Sequence, residues 1–194
     1  MKLTVEHTAI PDVLVLRPTV FRDGRGWFAE TFNEAEFASL AHSVHFVQDN
    51  ESRSSYGVVR GLHFQKGAAS QGKLVRVIRG RVLDVAVDLR VGSPWFGRWV
   101  AEELNDENFA QLFIPRGFAH GFSVLSDEAV FQYKCDRPYA PEAEAAVAWD
   151  DPALGIDWGI PADKVLLSPK DACHPVLASL PAEDLFDYSE DLYK

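Results

Sequence analysis

The chain has 194 residues, 47% of them hydrophobic, and its 19 Lys and Arg against 29 Asp and Glu give a formal net charge of −10. This length fits one domain with a substantial core. The negative charge argues against a protein that binds nucleic acids or anionic membranes in general, and no apolar run reaches the length of a membrane span. Cys135 and Cys173 form neither a CxxC pair nor a zinc-type His/Cys cluster, which argues against a disulfide framework and a structural zinc.

Short β-branched and aromatic runs, separated by Gly, Pro, Asn and Asp, predict a mainly β chain. Helical patterns are confined to 33–41, with Asn33 as the N-cap and Phe37 and Leu40 on the apolar side, and to 182–188. The predicted strands, in chain order, are 13–18, 26–31, 46–52, 58–63, 73–79, 81–89, 99–104, 111–114, 119–124, 129–135 and 146–149.

The segment 73–89 alternates in part between polar and apolar residues, and Gly80 in its middle predicts a hairpin that crosses a barrel. Many short strands with frequent turns favour a double-sheet jelly roll or a barrel over a doubly wound α/β fold. No linker or repeat marks a boundary. We therefore expect a single domain over 1–194, with an irregular tail from about residue 161 that packs across the barrel.

The motifs of several common enzyme classes are missing from the sequence. It contains no GxxxxGK[ST], no GxGxxG after a strand, no GxSxG and no HExxH, which argues against standard NTPases, dehydrogenases and hydrolases.

Polar residues instead interrupt the predicted strands. Each alone is most simply a core, rim or surface residue, but residues two apart on a strand share a face, so polar residues from several strands converge inside a barrel. Buried charges need a partner or a ligand, so such a cluster predicts a binding site. The residues concerned are Arg60, His63, Lys73, Arg76, His120, Tyr133 and Lys134.

The run PRGFAH fits the second half of the cupin pattern, P-x-G-x-x-H, in which His120 points into the barrel. A metal-binding cupin also carries H-x-H and a Glu in its first half. Here His63 is followed by Phe64 and Gln65, and Lys73 places a cation in the same region. The ligand count and the charge both disfavour a divalent metal cofactor.

Taken together, the segments from about 20 to 171 resemble the dTDP-4-dehydrorhamnose 3,5-epimerase family of cupin-type sugar-nucleotide epimerases. The resemblance implies a mainly β, cupin-type double-stranded jelly roll barrel with a few short helices. It also implies an isomerase of dTDP-L-rhamnose biosynthesis that inverts C3 and C5 of dTDP-4-dehydro-6-deoxyglucose with no cofactor. The matching segments include VFRDGRGWFAETFN, FVQDNESRSSYGVVRGLHFQ, QGKLVRVIRGRVLDVAVDLR, IPRGFAHGFSVLSD, YKCDRPYAPEAEAAVAWDDP and LSPKD.

Removing a proton next to a ketone requires a base, a group that stabilises the enolate oxygen, and an acid on the opposite face. The resemblance assigns the base to His63, with Asp171 pairing with it and orienting its ring. It assigns Lys73 to the enolate, and Tyr133 to proton delivery from the other face.

The resemblance also implies the residues that bind the substrate. His120 forms a second dyad at the sugar with Asp84 as its partner, Arg60 binds the diphosphate, and Tyr139 stacks on thymine. Arg25 and Glu30 are expected to reach the site of the second subunit in a homodimer. The remaining residues that match binding positions are Gln48, Asp49, Asn50, Glu144 and Lys170.

Three alternatives stay open at this point. The first is a single-site 3- or 5-epimerase of a dTDP-4-keto-6-deoxyhexose, which would share the same catalytic residues. The second is a non-catalytic sugar-nucleotide-binding cupin, which loss of His63 or Tyr133 would indicate, although both are present here. The third is a metal-dependent cupin, which would need further metal ligands. We expect a cytoplasmic homodimer that acts on a dTDP-sugar, without nucleic-acid or membrane partners.

Overall fold

A computed structural model describes residues 3–194. One α-helix, α1 (Glu34–Leu40), accompanies fifteen strands in these residues. The strands are β1 (Leu3–His7), β2 (Leu14–Pro18), β3 (Val20–Asp23), β4 (Gly26–Ala29), β5 (Gln48–Ser55), β6 (Val59–Gln65), β7 (Lys73–Arg79), β8 (Arg81–Asp88), β9 (Arg90–Val91), β10 (Trp99–Asn105), β11 (Gln111–Ile114), β12 (Phe118–Val124), β13 (Glu128–Cys135), β14 (Glu144–Ala146) and β15 (Phe186–Asp187).

Two antiparallel sheets form the frame. One has six strands in the order β1-β2-β11-β7-β13-β5, and the other has five in the order β10-β8-β12-β6-β14. Side chains of both inner faces, among them Val75, Val77, Ala86 and Phe122, form a shared buried cluster. The outer faces also carry apolar side chains, among them Val85 and Val87 on β8 and Leu74 on β7, so they need their own cover. The mainly β class with few helices is confirmed.

The outer faces are covered by the two ends of the chain. Helix α1 buries Phe37 against the six-stranded sheet, beside Leu16 and Phe113. The segment after β14 lays Leu167, Leu177 and other apolar residues on the five-stranded sheet. No helix among the described residues is both long and apolar enough to cross a membrane.

The predicted hairpin at 73–89 is wrong. Strand β7 belongs to the six-stranded sheet and β8 to the five-stranded one, so Gly80 carries the chain from one sheet to the other. Gly80 has a φ of +84°, and a Cβ there would lie 2.1 Å from the Glu128 carbonyl oxygen. Alternation along a strand identifies its buried face but not its neighbour, which is why the sequence suggested a pair.

The helix predicted at 33–41 is confirmed, with the Asn33 side chain accepting a hydrogen bond from the Glu36 amide. Leu40, expected on its apolar side, is 48% exposed. The helix predicted at 182–188 is wrong. Residues Ala182–Asp184 form a single 3-10 turn, and β15 then pairs in parallel with β9.

Most predicted strands agree with the structure to within a few residues, but the one at 146–149 lies instead at Glu144–Ala146. Strands β1, β3, β9 and β15 were not predicted. Among residues 3–194, strand β3 pairs only with β4, in a hairpin that exposes Phe21, Trp27 and Phe28.

Candidate active site

A cavity of about 210 Å³ opens between the two sheets. Polar side chains of strands from both sheets line it, and Phe122 and Phe131 form an apolar wall with their rings stacked at 4.2 Å. The lining residues expected from the sequence are Gln48, Asn50, Arg60, His63, Lys73, His120, Tyr133, Tyr139 and Glu144.

Strand alternation explains why these residues meet. On β7, Lys73 shares a face with the core residues Val75 and Val77, and on β12, His120 shares a face with Phe118 and Phe122. The inner face of the sheets is therefore apolar over most of its area and polar around the cavity.

The same alternation places three of the predicted site residues, Arg76, Lys134 and Asp49, outside the cavity. Arg76 lies an odd number of residues from Lys73, and Lys134 is adjacent to Tyr133, so each points to the opposite face of its strand. The ammonium of Lys134 pairs there with both carboxylate oxygens of Asp49 at 2.9 Å. The prediction that Arg76 and Lys134 converge on the cavity is wrong, and Asp49 lies outside the cavity with Lys134.

Arg60 and His63 both line the cavity, although they are three residues apart on β6. The pairing of β6 with β12 shifts register between His120 and Phe122, as in a β-bulge, which re-aims side chains. A Cβ on Gly61 would lie 2.5 Å from the Cα of Gly121, so only glycines permit the close approach of these strands.

The first His–Asp dyad lies at the edge of the cavity. The Nε2–H of His63 donates to Asp171 Oδ1 at 2.6 Å, and the Ser168 hydroxyl donates to the other carboxylate oxygen at 2.7 Å. Burial lowers the pKa of His63, although the Asp171 carboxylate opposes this shift. Burial alone would raise the pKa of Asp171, but the hydrogen bonds from Ser168 and His63 outweigh it and lower that pKa. The dyad thus pairs a charged carboxylate with a neutral imidazole.

The second dyad lies deeper, between two strands of one sheet. The Nε2–H of His120 donates to both Asp84 oxygens, at 3.1 and 2.9 Å. Asp84 is fully buried, and burial raises its pKa although His120 and Lys73 oppose the shift. Both dyads implied by the family resemblance are therefore formed.

Lys73 and Tyr133 lie on neighbouring strands of the six-stranded sheet, whereas His63 belongs to the five-stranded sheet. The cavity between the sheets thus has an imidazole on one side and an ammonium and a phenol on the other. Burial lowers the pKa of Lys73, and burial also raises the pKa of Tyr133, against the effect of the nearby Arg60. Tyr133 therefore keeps its proton at neutral pH.

The mouth of the cavity carries an exposed aromatic ring. The Tyr139 hydroxyl donates to Glu144 Oε2 at 2.6 Å, and Lys170 pairs with the same oxygen at 2.6 Å. Gln48 Oε1 accepts from the Tyr139 amide at 2.9 Å, which fixes the loop that presents the ring. Tyr139 itself is 50% exposed.

Arg25 and Glu30 do not reach this cavity. Arg25 is at the turn of the β3–β4 hairpin, paired with Asp23 at 2.6 Å, and its side chain is 91% exposed. Glu30 follows the hairpin and accepts a long hydrogen bond from Asn33 at 3.5 Å. Within one chain, these two predicted site residues lie apart from all the others.

Several residues of the site were not found from the sequence. Gln65 exchanges two hydrogen bonds with the backbone of Ala140 and so holds the Tyr139 loop. Phe122 and Phe131 have the same pattern as core residues, and no local signal marks Ser168. Tyr139 and Asp171 were assigned by resemblance alone.

The strand that bears Lys73 is held at its start by an ion pair that the sequence also did not reveal. Asp136 Oδ1 accepts from the Gly72 amide at 2.7 Å, and its other oxygen accepts from Arg116 at 2.9 Å. The Arg116 guanidinium lies over the Tyr193 ring at 4.7 Å, so the end of the chain supports this pair.

Comparisons with known proteins agree with this geometry. The sequence profile of the family described as dTDP-4-dehydrorhamnose 3,5-epimerase matches residues 7–179. A dTDP-4-dehydrorhamnose 3,5-epimerase of Pseudomonas aeruginosa is 56% identical over 172 residues, which is 88% of this chain and 93% of the relative.

Two solved structures are informative. A dTDP-6-deoxy-D-glucose-3,5-epimerase of Legionella pneumophila, in complex with dTDP-4-keto-L-rhamnose, superposes with a TM-score of 0.94 at 46% identity, over 97% of this chain and 100% of that one. A 3'-monoepimerase of Streptomyces bikiniensis, in complex with dTDP-quinovose, has a TM-score of 0.85 at 34% identity, over 94% of this chain and 93% of that one.

Proposed function

The chain belongs to the dTDP-4-dehydrorhamnose 3,5-epimerase family, and from this premise we propose how its residues invert C3 and C5 of dTDP-4-dehydro-6-deoxyglucose. Both carbons flank the C4 ketone, so removal of either proton gives an enolate on the same oxygen. One base, one cation and one acid are therefore sufficient for both inversions, with His63 releasing its proton to solvent and Tyr133 regaining one between the two. The observation that carries the proposal is the placement of His63 and Tyr133 on opposite sheets around one cavity.

His63 acts as the base. Its Nε2–H is held by the Asp171 carboxylate, which leaves Nδ1 as the nitrogen with a free lone pair. Its lowered pKa keeps the ring neutral at pH 7, so it is ready to accept a proton. Asp171 stabilises the imidazolium that forms, as the carboxylate of a catalytic triad does.

Lys73 neutralises the enolate oxygen. An ammonium in a partly enclosed cavity stabilises a developing oxyanion more than it would in water, because fewer water dipoles screen it. His120, fixed by Asp84 on the facing sheet, is placed to hydrogen-bond the sugar. Its role is to orient the substrate for both proton transfers.

Tyr133 returns the proton from the other side. A proton taken by His63 and replaced by Tyr133 enters on the opposite face of the enolate, and this exchange of faces inverts the carbon. Its raised pKa keeps the phenol protonated, as an acid requires. The apolar wall of Phe122 and Phe131 suits the methyl group of a 6-deoxysugar.

Arg60 and Lys170 bring positive charge to the mouth of the cavity, where the diphosphate and the nucleotide lie. This local charge matters because a protein of net charge −10 otherwise repels an anionic substrate. The exposed ring of Tyr139 stacks on the nucleotide base, with Gln48, Asn50 and Glu144 completing this end of the site.

A second copy of the chain supplies Arg25 and Glu30, in a homodimer. The support is the exposed β3–β4 hairpin, which presents Phe21, Trp27 and Phe28 on a two-stranded ribbon. An isolated ribbon is marginally stable, and so much exposed apolar surface marks a contact site. Light scattering of the purified protein should give the mass of a dimer, and a monomer with full activity would contradict the shared site.

The deciding experiment is proton NMR of the protein with dTDP-4-dehydro-6-deoxyglucose in deuterated water, without added metal or cofactor. We expect the signals of both the C3 and the C5 protons to disappear. Loss of one signal alone would select the single-site epimerase, which the likeness to a 3'-monoepimerase keeps as the second candidate. Loss of neither, with the nucleotide sugar bound, would leave a binding protein.

A further inference from the structure

A third histidine ring, that of His174, lies beside the His63–Asp171 dyad and has no role in the proposed reaction. His174 follows the 3-10 turn Asp171–Cys173, and its side chain is 13% exposed. Its Nε2 lies 3.6 Å from Asp171 Oδ1, the oxygen that also accepts from His63. Within residues 3–194, that buried nitrogen has no hydrogen-bond partner. An unpaired buried nitrogen facing a carboxylate is costly, which raises the question of what satisfies it.

We propose that His63, Asp171 and His174 form a binding site for a divalent transition metal such as Zn²⁺, and that the metal-bound protein is inactive. One ligand atom from each residue lies within 4.8 Å of the other two. Two imidazoles and a carboxylate are a common zinc ligand set. Because one of the ligands, His63, is the proposed base, an ion bound here is inhibitory.

Two of the three ligand separations are close to those that a bound ion needs, and the third pair, His63 and His174, lies within 4.8 Å and has to close further. Zinc holds nitrogen and oxygen ligands at about 2.0–2.2 Å, so two ligands of a tetrahedral ion lie roughly 3.3–3.5 Å apart. The His174–Asp171 separation of 3.6 Å already fits, and the His63–Asp171 separation of 2.6 Å has to open by less than 1 Å. His63 is one-third exposed, so its side chain has room for this shift.

The surroundings of Asp171 suit a metal ligand. Ser168 donates to Oδ2 at 2.7 Å and accepts from the Asp171 amide at 3.0 Å, which fixes the carboxylate and leaves Oδ1 directed at the two rings. Such outer hydrogen bonds orient ligands in many metal sites. Two charged side chains also act at His63. The Glu144 carboxylate favours a metal ion there, and the Lys73 ammonium disfavours it.

Metal binding at His63 stops proton transfer without any change of fold. In the free protein, the proton of the neutral His63 ring is on Nε2 and points at Asp171. A metal on Nε2 takes that position, and the one proton of the neutral ring then resides on Nδ1. The nitrogen that faces the sugar has no lone pair left, so the ring cannot accept a proton from carbon. The ion also removes the contact by which Asp171 orients the base.

The test is a titration of the whole metal-free protein with ZnCl₂ and, separately, with CoCl₂. We expect Zn²⁺ to inhibit epimerisation with one ion per chain and EDTA to restore it. His174→Asn should keep the basal rate and weaken metal binding by at least about tenfold. Loss of a residue that only hydrogen-bonds a metal ligand already has an effect of about this size, and His174→Asn removes one of the three ligands themselves. His174→Gln serves the same purpose if the first variant does not fold.

His42 offers a matched control. Its buried Nδ1 also has no hydrogen-bond partner within residues 3–194, but it lines a different cavity, remote from the His63–Asp171 dyad. His42→Asn should leave inhibition unchanged. The Co²⁺ spectrum, recorded without substrate, should show visible bands in the wild type and in His42→Asn that disappear in His174→Asn. This readout does not depend on turnover, so the site can be tested even if the proposed reaction is wrong. Equal metal affinity in wild type and His174→Asn would overturn the proposal.

Discussion

The two His–Asp dyads use the same residue types but differ in the exposure of the histidine and in the hydrogen bonds to the carboxylate. His63 is one-third exposed, and its Asp171 partner lies on a turn of the segment that covers the sheet. His120 and Asp84 lie within paired strands, at 9% and 0% side-chain exposure. Hydrogen bonds lower the pKa of Asp171, whereas burial raises that of Asp84. Asp171 is itself almost fully buried, but it accepts hydrogen bonds from His63 and Ser168, so it keeps its charge and can support a base, while Asp84, at 0% exposure, serves to hold a ring in place.

The largest difference between the dyads should appear when each histidine is replaced. His63→Asn removes the base, and we expect solvent exchange at both carbons to fall by about 10³–10⁴-fold, near the upper range for general-base catalysis. His120→Asn removes one contact to the sugar and should cost roughly 10–100-fold, with exchange at both carbons retained. Deuterium incorporation followed by NMR measures both variants. Equal losses would show that His120 also transfers protons.

Replacing the carboxylates should separate the dyads in a second way. Asp171→Asn keeps the shape but loses the charge that stabilises the imidazolium, so we expect kcat to fall by about 10³-fold with little change in KM. Asp84→Asn keeps an oxygen that accepts from His120 and removes a buried charge, so its effect on kcat should be roughly tenfold at most. Steady-state kinetics of both variants, with thermal melts to confirm folding, measure the contrast. A larger loss in Asp84→Asn would reverse the assignment.

Much of this arrangement follows from the sequence, and the limits have physical reasons. Alternation correctly placed Lys73, Tyr133 and His120 on strands, because each interrupts an apolar run. Once the inner face is known, the same rule places Arg76 and Lys134 on the outer face, away from the cavity. The sequence alone does not say which face of a strand is the inner one. The pairing of β7 and β8 was wrong for a related reason, since a periodic pattern carries no information on the neighbouring strand.

The residues contributed by irregular segments were harder to predict. Asp171 and Ser168 lie in a stretch without periodicity, and only family resemblance assigned Asp171. His174 carried no signal, because a histidine next to a cysteine in an irregular tail fits many roles. The tertiary contact between this tail and β6 creates the dyad, and the contact joins residues 108 positions apart.

The pH dependence of the two dyads should also differ. Burial lowers the pKa of His63, so the ring stays neutral and active below its ordinary value of about 6.5, and kcat/KM falls as pH drops through the lowered pKa. Asp171 raises that pKa, so Asp171→Asn should move the acid limb to lower pH while reducing the maximum rate. Asp84→Asn should leave the acid limb in place. A pH–rate profile of the three proteins tests this, and an unmoved limb in Asp171→Asn would dissociate Asp171 from the base.

A smaller effect than that of Asp171→Asn should come from the hydroxyl that supports only one of the two carboxylates. Ser168 donates to Asp171 Oδ2 at 2.7 Å, whereas both oxygens of Asp84 are taken by His120. Ser168→Ala removes this donor, so the pKa of Asp171 rises toward its ordinary value and the carboxylate loses part of its orientation.

We expect kcat for Ser168→Ala to fall by about tenfold, as for the loss of one hydrogen bond to a charged group, with KM unchanged. Ser168→Thr keeps the hydroxyl and should recover most of the rate. A matched control is Ser123→Ala, whose hydroxyl donates to the Trp158 carbonyl oxygen on the face of β12 opposite to His120. If Ser168→Ala and Ser123→Ala lowered thermal stability alike and neither changed kcat, Ser168 would be a structural residue, and the difference between the dyads would rest on burial alone.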